Sequence, residues 1–139
     1  MTTVNPSWAY ALHLPHDPRA PGVARAHVRA VLAAHGLTEL TPTAELLAAE
    51  MLNNAQLHTD GAYGLGLQPS APGGVRVAVW DSSPVIPPGF GAAVLPDDGT
   101  PPQWAEGGRG LCLVRACSHS WGAYASPGRG GKLLWAACS

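Results

Sequence analysis

Residues 41–59 read TPTAELLAAEMLNNAQLHT, and the fold turns on this stretch. Thr41 is placed to cap a helix, Pro42 suits its first helical position, and Glu45 puts a carboxylate near the positive end of the helix dipole. The pattern predicts a helix over about Pro42 to His58. Advancing by roughly 100° per residue sends Glu45, Ala49, Asn53 and Gln56 toward water. Ala44, Leu46, Leu47, Met51, Ala55 and Leu57 fall on the opposite side. Glu50 and Asn54 sit among these apolar residues, one turn apart and about 40° from each other. Burying a carboxylate and an amide costs several kcal/mol unless partners are supplied. Two partners suit them. One is an i,i+4 hydrogen bond between the two side chains; the other is a hard cation such as Mg²⁺, which takes few protein ligands and fills its shell with water and phosphate oxygens.

Upstream, Ser7 to Leu14 alternates with Trp8, Tyr10, Leu12 and Leu14 on one side, the pattern of a half-buried strand. From about Pro18 to His35, Val23, Ala26, Ala30, Val31 and Ala34 recur at helical spacing, and Gly36 is placed to end that helix. Downstream, Tyr63, Leu65 and Leu67, then Val75, Val77 and Val79, mark two period-two strands around the turn Ala71-Pro72-Gly73-Gly74. Ser82 to Glu106 is crowded with Pro and Gly and has no periodicity, so it reads as a lid, approximately 84–107. A short helix over about Arg109 to Ser118 follows. Strands near Trp121 to Ala125 and Leu133 to Cys138, joined by Pro127-Gly128-Arg129-Gly130-Gly131, complete the chain. This order predicts an α/β two-layer sandwich over residues 1–139, with helices on one face of a mixed, mainly antiparallel sheet.

The 139 residues suit one domain, and the formal net charge of −1 with scattered basic residues speaks against a nucleic-acid or anionic-membrane surface. No apolar run approaches the ~20 residues of a membrane span, and a cytoplasmic protein is expected. Cys112, Cys117 and Cys138 lack zinc or disulfide spacing and read as reduced core thiols. The six histidines are dispersed, which argues against a metallohydrolase.

Two further elements carry chemistry. Gly107-Gly108-Arg109-Gly110-Leu111 opens the short helix, and glycines there let backbone N–H groups approach an anion at the positive helix end. Arg109 adds a bidentate phosphate donor, although a flexible hinge and a solvated Arg account for the same residues. Asp81, at the end of Val77-Ala78-Val79-Trp80-Asp81-Ser82-Ser83-Pro84, can cap the turn through Ser83. It can equally accept a hydrogen bond from the exocyclic amine of adenine, which guanine does not offer in that place.

Taken together, Glu45-Leu46-Leu47, Glu50, Asn54-Ala55 and His58-Thr59 resemble the N box of the gyrase, Hsp90, histidine kinase and MutL ATPase superfamily. Within it the chain is most similar to the small bacterial anti-sigma factor serine/threonine kinases. The strand ending at Asp81-Ser82-Ser83-Pro84 resembles their first glycine box, Gly108-Arg109-Gly110-Leu111 the second, and Trp121-Gly122 with Gly130-Gly131-Lys132-Leu133-Leu134-Trp135 the terminal hairpin. The resemblance covers the chain from about Ala20 onward. It implies a Bergerat-type ATP-binding fold whose cofactors are ATP and Mg²⁺, with Asn54 as metal ligand, Glu50 as catalytic base and Asp81 receiving the adenine amine. Gly108, Arg109, Gly110 and Leu111 would line the phosphates, and His58 either edges the adenine pocket or is a surface residue at the helix end. The first glycine box is degenerate here, with Ser83 and prolines replacing glycines. The implied partners are a sigma factor and an anti-sigma antagonist protein, with a homodimer left open. A non-catalytic, ATP-gated binding module is the alternative to a kinase.

Overall fold

A computed structural model describes residues 7–70, 73–87, 90, 108–126 and 130–139, the side chains of 108–112 and 126 excepted. In chain order the elements are β1 (Tyr10–Leu14), α1 (Ala20–Ala34), a 3₁₀ turn (Thr38–Leu40), α2 (Thr41–His58), β2 (Tyr63–Ser70), β3 (Gly74–Asp81), α3 (Gly108–Cys117), β4 (Ser120–Ser126) and β5 (Gly131–Cys138). The five strands form one sheet in the order β1-β2-β3-β5-β4. Every pairing between these strands is antiparallel, which corrects the mixed sheet expected from the sequence. β3 and β4 run in the same direction and are joined through α3, but the closing hairpin brings β5 back between them, so no two neighbouring strands are parallel.

Period-two burial divides the sheet into two faces. Leu65, Leu67, Val75, Val77, Val79, Leu134 and Ala136 are buried against the helices. Arg76, Ala78, Trp80, Leu133 and Trp135 alternate with them and are less buried. Trp80 lies on the backbone of Gly64, where an added Cβ would come within 2.0 Å of the indole, and Trp135 covers Gly122 in the same way. Arg76 stacks on the Trp135 ring, 4.1 Å from its centroid. At the edge, Trp8 packs against the core and stacks on His35.

Both long helices bury somewhat different stripes from those the sequence suggested. In α1 the buried residues are Ala20, Ala24, Val28, Val31 and Leu32, while Val23 is 54% exposed. Alanines on every side of this helix give two candidate stripes, and the larger side chains of Val28 and Leu32 decide between them. In α2 the buried set includes Ala48 and Leu52, and Leu57 is 70% exposed at the last turn. Thr41 begins α2 without making a side-chain cap, because the 3₁₀ turn already leads the backbone into the helix. Gly36 ends α1 as expected: at φ +69° it lets Leu37 N–H reach Leu32 C=O at 2.8 Å and Gly36 N–H reach Ala33 C=O at 3.4 Å. An ion pair between Arg29 and Glu45 joins the two helices.

Cys138 is buried, and burial pushes its thiol pKa up; Cys117 is exposed, so it is not a core thiol. Most of the lid stretch lies outside the described residues. At its start Phe90 is buried in the core, with its N–H on Pro87 C=O. No helix among the described residues is long and apolar enough to cross a membrane.

His27 on α1 has a buried Nε2 with no hydrogen-bond partner, and burial holds its pKa below the usual value. The unfolded chain therefore takes up a proton near pH ~6.5 before the folded chain does. The stabilisation from a neutral His27 is complete above that pH and is lost as pH falls through the lowered folded value. Urea unfolding of His27→Phe at pH 7 and pH 5 should show a smaller loss of stability on acidification than the parent; an equal loss would show that His27 is freely solvated.

Candidate functional site

Among the described residues the buried polar or charged ones are Asn54, Thr59, Asp81 and Lys132. Asn54 belongs to the buried face of α2 and is 8% exposed, and its Oδ1 is buried with no hydrogen-bond partner. An orphaned amide oxygen among Leu47, Met51 and Ala55 is costly, since nothing replaces the water it has lost. Its i,i+4 neighbour Glu50 is only partly buried, and the two side chains make no hydrogen bond to each other. The paired reading of Glu50 and Asn54 is thereby removed, and an oxygen in need of an electropositive partner remains.

Asp81 closes β3 on the same side. Its side chain is 2% exposed and forms a buried ion pair with Lys132, whose side chain is 1% exposed. The Lys132 Nζ donates to Oδ1 at 3.0 Å and to Oδ2 at 2.9 Å. The backbone N–H of Ser83 also donates to Oδ1, at 2.8 Å, so Asp81 does cap the turn that follows the strand. The capping reading of Asp81 is correct, and its carboxylate has a second, charged partner.

Lys132 is the residue that sequence reasoning missed. It is the chain's single lysine. Continuing the inward alternation of Leu134 and Ala136 by one step places it in the core, directly across from Asp81 in the strand register. Gly131 makes the close approach of the two strands feasible at this point, because a Cβ there would lie 2.1 Å from the Asp81 carbonyl oxygen.

The end of α2 is tied to the end of β3. Thr59, just beyond α2, hydrogen-bonds through Oγ1 to the hydroxyl of Ser82, and Gly61 N–H donates to the same Thr59 oxygen at 3.3 Å. Asn54 is five residues before Thr59, about 7.5 Å along the helix axis, and α2 packs on β3, the strand that Asp81 closes. Helix α3 packs against both α2 and β5. It begins at Gly108, which puts Gly108, Arg109, Gly110 and Leu111 in its first turn instead of a loop ahead of it. Their side chains, and Gly107, lie outside the described residues. His58 is exposed on the last turn of α2.

An Asn oxygen without a donor on α2 can hold a hard cation, and the strand end carrying a carboxylate and an ammonium offers an edge of donor and acceptor groups. Among the described residues no three His, Cys, Asp or Glu side chains cluster, so any such cation would draw most of its ligands from a bound anion and water. No family model matches this chain, and no curated protein matches it.

The buried ion pair makes a stability prediction. Lys132→Met leaves Asp81 charged and unpaired and should cost about 3–5 kcal/mol, whereas the double change Asp81→Leu, Lys132→Met should recover most of that loss. Denaturant titration of both variants tests this; a single variant within about 1 kcal/mol of the parent would contradict the burial of the pair.

Proposed function

We propose that this chain binds Mg²⁺-ATP and acts as a regulatory serine/threonine kinase that phosphorylates an anti-sigma antagonist protein, in a Bergerat-type ATPase fold. The observation that carries the reading is the buried, unpartnered Oδ1 of Asn54. A hard cation satisfies such an oxygen directly, and Mg²⁺ characteristically combines one or two protein oxygens with phosphate oxygens and water. The group would neutralise charge on the transferring phosphoryl oxygens when bound. The rest falls to the chain's own residues. Asn54 holds the cation end of the ligand. The backbone N–H groups of the first turn of α3, at Gly108, Arg109 and Gly110, suit the phosphates at a helix N-terminus. Asp81 offers an acceptor to an exocyclic amine, and Glu50, partly exposed one turn before Asn54, is free to align a partner's hydroxyl and take its proton.

One observation favours the second reading, a nucleotide-gated module that binds a sigma factor or another regulator without transferring phosphate. Among the described residues nothing hydrogen-bonds to Glu50 or forms an ion pair with it, whereas a general base is usually oriented by a third group. Residues outside the described set, or the partner protein itself, would have to supply that orientation.

Calorimetry should show ATP binding that is lost on adding EDTA. Asn54→Ala should weaken it by roughly a hundredfold or more, the magnitude expected from losing a hydrogen-bonded or metal-coordinated charge interaction. Glu50→Gln should retain the parent's affinity within about threefold, because a base acts on the nucleophile and not on the ground-state nucleotide. Equal weakening by both substitutions would show that Glu50 supports Asn54 structurally. Loss of labelled phosphate on the antagonist in Glu50→Gln, with ATP binding intact, separates the kinase from the binding module.

A further inference from the structure

We propose that Lys132 and Asp81 together read the base of the nucleotide, with Lys132 donating to the ring nitrogen next to the amine that Asp81 accepts. The proposal rests on the nucleotide reading above and adds a specificity-determining residue to it. A carboxylate has about four lone-pair positions. Here Lys132 occupies one on each oxygen and Ser83 N–H a second one on Oδ1, which leaves one acceptor position, on Oδ2. An ammonium has three N–H donors. Two are on Asp81, and the third has no acceptor among the described residues. The rung between β3 and β5 therefore keeps one acceptor beside one donor without a partner among the described residues, in a pair that is 2% and 1% exposed.

Adenine has the complementary edge: its 6-amino group donates and the adjacent N1 accepts. In the same pose guanine would set O6 against Oδ2 and N1–H against Nζ, two like-with-like contacts. Its 2-amino group would find no acceptor on Asp81, since only one lone pair is left. Hypoxanthine makes the same two mismatches. A lone aspartate would penalise one of them; the pair penalises both, and leaving buried polar groups unpaired is what gives hydrogen-bonded sites their discrimination.

A purely structural ion pair would stabilise the fold and be indifferent to the atom at ring position 1. The test is therefore the base itself, with the unaltered protein. In 1-deaza-ATP a C–H replaces N1 while the amine, sugar and phosphates are kept. Calorimetry with Mg²⁺ should show it binding roughly tenfold to a hundredfold more weakly than ATP, the range for losing a hydrogen bond from a charged donor. Lys132→Met, checked for its fold by circular dichroism, should bind the two nucleotides alike. Equal affinities of the unaltered protein for ATP and 1-deaza-ATP would overturn the role of Lys132 while leaving the nucleotide site standing. Absence of ATP binding altogether would overturn the nucleotide reading, and this inference with it.

Discussion

The structure depends on a carboxylate and an ammonium sealed into one rung of the sheet. Asp81 and Lys132 sit opposite each other where β3 ends and β5 begins, the two strands being the sheet's central strand and its next neighbour. Taking two charges out of water costs several kcal/mol per ion, and apolar residues of similar volume often serve stability as well or better. Stability alone is therefore a weak reason for the pair to be there. Its geometric consequences are stronger. It fixes the register of β5 against β3, it requires Gly131 so that the backbones can approach, and it leaves a polar point in an otherwise apolar layer. The Thr59–Ser82 hydrogen bond then brings the end of α2 to the same corner.

Asn54 differs from this pair in one respect that matters. Asp81 and Lys132 are partnered with each other, whereas the buried Oδ1 of Asn54 has no hydrogen-bond partner. A protein interior tolerates few such atoms, and each calls for an explanation, a bound water or ion among them. Under the proposed reading, the Asp81–Lys132 rung would serve the base end of a nucleotide, which reads hydrogen bonds, and Asn54 its phosphate end, which carries the metal ion.

Much of this was legible in the sequence. The inward residues of β2 and β3 follow strict alternation of large aliphatic side chains, so Leu65, Leu67, Val75, Val77 and Val79 could be assigned by period alone. Gly36 ended α1 where it should because the left-handed conformation at that position is a backbone constraint. The helix faces were harder. Ala differs little between core and surface, so α1 offered two stripes, and Leu57 was assigned inward by its angle although it is exposed in the last turn of α2. Asn54 stood out because a polar residue broke an apolar face. Lys132 did not, because a lysine is assumed to be solvated, and only the alternation of β5 combined with the position of Asp81 would have put it inside. The antiparallel sheet required knowing that β5 returns between β4 and β3, which is a long-range pairing that no local pattern encodes.

The central claim is that the orphaned oxygen of Asn54 faces a metal ion carried by a nucleotide. Replacing Mg²⁺ with paramagnetic Mn²⁺ and recording the side-chain amide resonances of the ¹⁵N-labelled protein tests it most directly. The account predicts that Mn²⁺ with ADP broadens the Asn54 side-chain amide signals more strongly than those of Asn53, one residue earlier on the exposed side of the same helix, and that Mn²⁺ without nucleotide does not. Asn54 signals that stay sharp while the protein is saturated with Mn²⁺ and nucleotide would contradict it.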